Sequence, residues 1–172
     1  LNQFRISGDR AECRAVAWPA GLYWRAVWVG HAAQTADFVS VYERWKRARP
    51  EAAQDIGHRL GQVAQQAVAG SAEPDALLGA CAEYAELLGA LGDAMGMQVM
   101  SEPHRRLAGL GRDCGIVYKS CGAGGGDLGI ALAKDPERLR AFAARVSDRD
   151  GVPLNFRLSD FGAAMNSDRR PG

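Results

Sequence analysis

The chain has 172 residues, a length that fits one domain, and 47% of them are hydrophobic, enough for a packed core. The formal net charge is +1 and no long run of Lys or Arg occurs, which argues against a nucleic-acid-binding protein. No apolar stretch approaches the roughly 20 residues of a membrane helix, and the N-terminus does not resemble a signal peptide. The four cysteines form no CxxC pair and no zinc-like cluster, which favours reduced thiols in a cytoplasmic protein.

The first part of the chain is predicted to be rich in β-structure. Leu1 to Ile6 predicts a strand that ends at the turn-like Ser7-Gly8-Asp9. The segments Cys13 to Trp18 and Leu22 to Val29 are rich in Val, Trp and Tyr, with a turn-forming Pro and Gly between them. We therefore expect two neighbouring strands there.

Apolar residues then recur at helical spacing in four successive segments. Thr35 is a candidate cap for the first helix, and Pro50 closes it. The third helix is predicted from Asp75 to Met95, and the fourth begins at Ser101 as N-cap. His58 and His104 lie on these helices and are expected at the surface. The residues predicted to face the core are Phe38, Val41, Tyr42, Trp45, Ile56, Leu60, Val63, Ala67, Leu77, Leu78, Cys81, Ala85, Leu88, Leu91, Leu107 and Leu110.

Strand patterns return after Cys114. Ile116 to Ser120 and Leu128 to Ala133 predict strands on either side of a glycine-rich loop, and Asp135-Pro136 predicts the start of a fifth helix. Leu154, Phe156 and Leu158 alternate, which indicates a last strand. This order of elements predicts an α+β fold, a mostly antiparallel sheet with a helical layer on one face. We expect one domain over residues 1–165 and a polar tail over 166–172.

The glycine loop runs from Gly122 to Asp127, with glycine at 122, 124, 125 and 126. Such a backbone can adopt positive φ and turn several N–H groups toward one anion. A P-loop is excluded because no Lys-Ser/Thr pair follows the last glycine. The dinucleotide-binding pattern is rejected because the loop leads into a strand instead of a helix. A flexible hairpin or linker remains the alternative, and the apolar strands on both sides argue against it.

The loop carries a family resemblance. Together with the following Gly129-Ile130-Ala131, it resembles the third motif of GHMP kinases and is most similar to the phosphomevalonate kinase family. The segments Ala26 to Thr35 and Met97 to Cys114 also fit, so the resemblance spans about residues 22–158, although only the loop is specific. The matching loop residues are Lys119, Ser120, Cys121, Gly122, Ala123, Gly124, Gly125, Gly126 and Asp127.

The resemblance implies the C-terminal domain of a two-domain enzyme that transfers a phosphoryl group from ATP, with Mg²⁺, to a small acceptor of isoprenoid synthesis. It implies that the loop residues bind phosphate, with His31 and Thr35 on the substrate side. Within the loop, we expect Asp127 to orient the backbone or meet a magnesium ion. Mevalonate kinase and diphosphomevalonate decarboxylase types, or a binding module without chemistry, are the alternatives.

The sequence also departs from the family. The Pro-x-x-x-Gly-Leu-Gly-Ser-Ser-Ala motif and the segment of the catalytic carboxylate are absent, and both belong to the family's N-terminal domain. We therefore expect this chain to need an N-terminal kinase domain as partner, to contain no catalytic residue, and to be inactive alone, with a homodimer as one possible assembly. Cys121 stands where the family has Ser or Thr, and Ser120 is a candidate to replace the lost hydroxyl.

Overall fold

The structure is a computed structural model that describes residues 2–8, 10–30, 35–122 and 125–155. Strands and helices follow one another in the order that the sequence predicts. None of the described helices is both long and apolar enough to cross a membrane. The strands are β1 (Asn2–Ser7), β2 (Arg10–Ala15), β3 (Tyr23–Trp28), β4 (Val117–Ser120), β5 (Leu128–Ala133) and β6 (Val152–Leu154), and the helices are α1 (Thr35–Ala48), α2 (Pro50–Ala69), α3 (Pro74–Met95), α4 (Glu102–Asp113) and α5 (Pro136–Arg145).

The main sheet has the strand order β4-β5-β3-β6, and every described pairing in it is antiparallel. Its central strand β3 pairs with β5 on one side, where Tyr23 faces Ala133, and with β6 on the other. Val27 of β3 is fully buried. A strand with neighbours on both edges is mostly buried at its centre, and the apolar Ala26 and Val27 supply buried side chains there.

The prediction that the second and third strands are neighbours was wrong. β2 pairs with β1 in a separate two-stranded sheet, and all of its side chains are exposed. Its sequence, Arg-Ala-Glu-Cys-Arg-Ala, lacks the apolar face that pairing with β3 inside the main sheet would bury. The predicted end of the last strand is not tested, because Phe156, Leu158 and the tail lie outside the described residues.

Side chains of the main sheet alternate between two faces. On one face, which we call the α4/α5 face, Val27, Tyr118 and Ala131 pack against Leu107 of α4 and Phe142 of α5. On the opposite α2/α3 face, Trp24 and Leu132 contact a cluster that contains Leu77 and Cys81 of α3 and Ala67 of α2. The predicted α+β class with a helical layer on an antiparallel sheet is confirmed, and the α2–α3 pair additionally covers part of the second face.

The helix boundaries follow local sequence signals. Asp135 caps α5, since its carboxylate accepts a hydrogen bond from the Glu137 N–H at 2.9 Å. Gly96, with φ 68°, ends α3 in the left-handed conformation that glycine adopts readily. Ser101 occupies the N-cap position of α4 as predicted, but its buried hydroxyl makes no capping bond and has no hydrogen-bond partner among the described residues.

Candidate phosphate-binding loop

The glycine loop connects β4 to β5 at one end of the main sheet. Its base is closed by a hydrogen bond of 2.8 Å from the Cys121 N–H to the Leu128 carbonyl. Gly122 and Gly125 have φ values of 66° and 75°, so the backbone takes the left-handed conformation that the glycine-rich sequence predicts. A Cβ atom placed on Gly122 would meet no atom within 4 Å among the described residues outside its chain neighbours, so these residues leave open space beside it.

Asp127 ends the loop in an unusual conformation. Its φ is 60°, and it is the one non-glycine residue with positive φ among the residues that the structure describes. Aspartate tolerates this conformation better than most side chains. The Asp127 carbonyl accepts a hydrogen bond of 2.9 Å from the Val29 N–H, which ties the loop to the end of β3. This backbone contact braces the loop, while the predicted contacts of the carboxylate with backbone or magnesium stay predictions.

Two backbone amides of the loop region are engaged within the protein. Besides Cys121, Gly125 donates its N–H to the carbonyl of Val99 at 2.7 Å, which fastens the loop to the segment before α4. These two amides therefore fix the loop's shape and are not available to an anion. Any phosphate contact in the loop would have to come from other N–H groups.

His104 is the residue that the sequence interpretation misplaced. It is fully buried, not exposed, and bridges two parts of the site. Its Nδ1 lies 2.8 Å from the Tyr118 hydroxyl and its Nε2 lies 3.1 Å from the Gly126 carbonyl. A carbonyl can only accept, so Nε2 must carry the proton, and in a neutral ring Nδ1 then accepts from Tyr118.

The helical spacing of α4 could have revealed this burial. His104, Leu107 and Gly111 follow one another at intervals of three and four residues, so they share one helix face, and all three are buried. Leu107 was predicted to face the core, which should have placed His104 there too. His58 is exposed, as expected.

Tyr118 links His104 to the sheet. Its side chain is 5% exposed, its ring centroid lies 5.9 Å from that of Phe142, and burial raises the pKa of its hydroxyl. The ring crosses β5 at Gly129, where a Cβ atom would stand only 2.0 Å from the Tyr118 oxygen. Gly129 therefore makes room for the tyrosine that orients His104.

Lys119 and Cys121 belong to the other face. Both line a cleft on the α2/α3 face, and the Lys119 Nζ donates to the Ser120 carbonyl at 2.8 Å. Burial raises the pKa of the Cys121 thiol, and the nearby Lys119 ammonium group opposes that shift. Ser120 is only 2% exposed and pairs with Gly129. Its hydroxyl is therefore poorly placed to replace the one that Cys121 lacks.

The structure tests the remaining predicted site residues only in part. His31, Ala123 and Gly124 lie outside the described residues, and Thr35 is the first residue of α1. The described loop has the positive-φ glycines and the open space that a phosphate group requires. Asp127 offers one carboxylate, and magnesium is often held by one or two carboxylates together with substrate phosphates. The residue types at this loop are therefore compatible with a phosphate group and with Mg²⁺.

No protein-family model and no curated protein matches the sequence. Solved structures do match. Phosphomevalonate kinase from Streptococcus pneumoniae, solved with phosphomevalonate and AMPPNP, aligns over 84% of the chain with a TM-score of 0.70 and 20% identity. Mevalonate kinase from L. major, solved with R-mevalonate, aligns over 86% of the chain with a TM-score of 0.68 and 19% identity. The chain has the fold of a region of these kinases.

A third match is a Lin0012 protein from Listeria innocua, with a TM-score of 0.80 and 22% identity over 86% of the chain. This chain covers 42% of the Lin0012 protein, 42% of the phosphomevalonate kinase and 46% of the mevalonate kinase. It therefore spans less than half the length of these three solved chains.

Proposed function

We propose that the chain is the C-terminal substrate- and phosphate-binding domain of an ATP-dependent small-molecule kinase of the phosphomevalonate kinase type. The observation that carries the proposal is the braced glycine loop between β4 and β5, whose Gly122 and Gly125 have positive φ. The shared fold supports it. The partners would be an N-terminal kinase domain, ATP with Mg²⁺ and a small acceptor, in the cytoplasm.

The work of such a domain is positioning. Phosphoryl transfer asks a protein mainly to hold the phosphates in line with the acceptor and to stabilise their charge. ATP supplies the transferred group when it is bound. Gly122 leaves space for a phosphate oxygen. His104 holds Gly126 in place through the Gly126 carbonyl, and Val99 holds Gly125 in place through the Gly125 N–H group. Backbone that is already held at Gly125 and Gly126 does not have to become ordered there when the ligand binds, which favours affinity.

The first experiment compares two matched glycines. Gly122 and Gly96 have φ values of 66° and 68°, and a Cβ on either meets no atom within 4 Å among the described residues outside its chain neighbours. Alanine at either position therefore costs similar backbone strain, about 1 kcal/mol. Only Gly122→Ala puts a methyl group where phosphate would approach. We expect this change to weaken AMPPNP binding about tenfold, equivalent to about 1.4 kcal/mol, while Gly96→Ala leaves binding unchanged.

Binding is best measured by titrating AMPPNP and Mg²⁺ into the ¹⁵N-labelled chain and following the amide signals. Signals of Gly122 and Gly126 should shift in the wild type and in Gly96→Ala. Equal affinity in all three proteins, or shifts confined to other parts of the chain, would remove the loop from the site.

Catalysis requires a further test. The chain alone should show no ATP turnover, and a protein that joins it to an N-terminal kinase domain should phosphorylate an acceptor. A coupled assay across mevalonate, phosphomevalonate and galactose distinguishes the proposed type from its relatives. ATP turnover by the 172-residue chain itself would contradict the division of labour proposed for it.

A further inference from the structure

A cleft of about 410 Å³ opens on the α2/α3 face, next to the glycine loop. Lys119, Cys121 and Ile130 line it from the sheet, and Val63 and Cys81 are among the residues that line it from α2 and α3. Small-molecule sites have volumes of about 300–1,000 Å³, so a small organic ligand fits. A cleft of about 550 Å³ beside β2 is larger, but none of the described residues among 119–127 lines it, whereas Lys119 and Cys121 line the smaller one.

The cleft is suited to hydrocarbon. Most of its lining is aliphatic or aromatic, and Lys119 is the only charged residue among the described residues that line it. Burial raises the pKa of the Cys81 and Cys121 thiols, so both stay protonated at neutral pH. A neutral thiol behaves as a small apolar group. A polyhydroxylated ligand would lose hydrogen bonds to water here without replacing them.

Lys119 gives the cleft one anion-binding end. Its Nζ donates to the Ser120 carbonyl at 2.8 Å, and an ammonium group has three donors, so the remaining ones can bind a ligand. No Asp or Glu occurs among the described lining residues, so an anion would meet no opposing carboxylate there. Lys119 also stands three residues before Gly122, which places this end of the cleft at the base of the loop.

We propose that this cleft binds a small anion with a compact hydrocarbon skeleton. The anionic end contacts Lys119, and the skeleton packs between Ile130 and the helices at Val63 and Cys81. In the proposed kinase this ligand is the phosphoryl acceptor, and that assignment rests on the proposed function. Binding in the cleft does not require it.

The first test is a chain-length series. Ethyl, butyl and hexyl phosphate are titrated into the chain by calorimetry, with inorganic phosphate as the reference. Each buried methylene should raise the affinity roughly two- to fourfold until the cleft is full. Equal affinity for inorganic phosphate and hexyl phosphate would overturn the proposal, since the anion would then bind without the cleft.

Two substitutions separate the ends of the ligand. Lys119→Met keeps the aliphatic stem and removes the charge, so hexyl phosphate should bind about tenfold more weakly while hexanol binds as before. Lys134→Met is the matched control, because Lys134 is exposed and does not line this cleft. Unchanged hexyl phosphate binding in Lys119→Met, or an equal loss in Lys134→Met, would contradict the assignment of Lys119.

The wild-type thiols report where the ligand binds, without any variant that might fail to fold. Hexyl phosphate should slow alkylation of Cys81 and Cys121 by iodoacetamide several-fold, as read by mass spectrometry, and leave the exposed Cys13 unaffected. Protection of Cys81 without AMPPNP binding at the loop would support ligand binding in the cleft and contradict the proposed function. AMPPNP binding at the loop without protection of Cys81 would support the proposed function and contradict ligand binding in the cleft.

Discussion

Neighbouring residues of β4 serve the two faces of the main sheet in different ways. Tyr118 and Ser120 turn toward the α4/α5 face and are 5% and 2% exposed, whereas Lys119 lies between them and lines the open cleft on the α2/α3 face. The α4/α5 face holds the loop in shape through His104, and the α2/α3 face offers contacts to a ligand. Because side chains alternate along a strand, one short strand can do both.

This division predicts that stability and ligand binding can be changed separately. Substitutions of Tyr118 and His104 on the α4/α5 face should mainly alter the free energy of unfolding, since both side chains are buried and hydrogen-bonded. Substitutions of Lys119 should mainly alter binding.

The largest loss of stability is expected for Gly129→Ala. Its Cβ would lie 2.0 Å from the Tyr118 oxygen and 2.4 Å from the ring carbon that bears it. The ring cannot move aside, because it is held between His104 and Phe142. We expect a loss of roughly 3 kcal/mol or more in urea unfolding. Gly79→Ala on the exposed side of α3 is the control and should gain up to about 1 kcal/mol. A near-neutral Gly129→Ala would show that Tyr118 is not confined there.

The next effect concerns the hydrogen bond between His104 and Tyr118. Tyr118→Phe removes one hydroxyl and leaves the buried His104 Nδ1 without its donor, at a cost of about 1–3 kcal/mol. His104→Leu fills the buried space with an apolar side chain but leaves the Gly126 carbonyl without this partner, so it should cost at least as much. The double variant should lose less than the sum of the two, by about 0.5 kcal/mol or more. Additive losses would mean that the two residues do not act together.

The sequence predicts what depends on local pattern. The positions of β4, the loop and β5 follow from apolar runs on either side of a glycine cluster, and the α5 start follows from Asp135 and its neighbouring proline. Each signal lies within a few residues of the structure that it specifies. The positive φ of Gly122 and Gly125 is likewise permitted by the absence of Cβ atoms.

Contacts between distant residues were not predicted. His104 contacts Tyr118 and Gly126, which are 14 and 22 residues away in the sequence. The residues around His104 carry no sequence signal that predicts these two partners. The partner of β2 was missed for a related reason. Alternating or apolar residues identify a strand, but the same pattern is compatible with several neighbouring strands. In this chain β3 has β5 and β6 as its neighbours, which leaves β2 to pair with β1.

The smallest predicted effect is a difference between the two faces in how the free energy of unfolding depends on pH. Burial raises the pKa of Tyr118 on the α4/α5 face and of the Cys81 thiol on the α2/α3 face. In both cases the folded chain keeps a proton that the unfolded chain releases in alkali. The contribution to stability is therefore complete below the ordinary pKa and is lost as the pH rises above it. Ordinary pKa values are about 8.5 for a thiol and about 10 for tyrosine, so the loss of stability due to Cys81 should begin at a lower pH than the loss due to Tyr118.

Urea unfolding across this range measures the effect as the slope of stability against pH. Cys81→Ala should flatten the slope from about pH 8.5 upward, and Tyr118→Phe only from about pH 10, each by at most about 1.4 kcal/mol per pH unit. Tyr23→Phe is the control, because Tyr23 is 45% exposed. The stability gap between Tyr118→Phe and the wild type should consequently narrow in alkali. A gap that stays constant above pH of about 10 would mean that the Tyr118 hydroxyl loses its proton as easily in the folded chain as in the unfolded one.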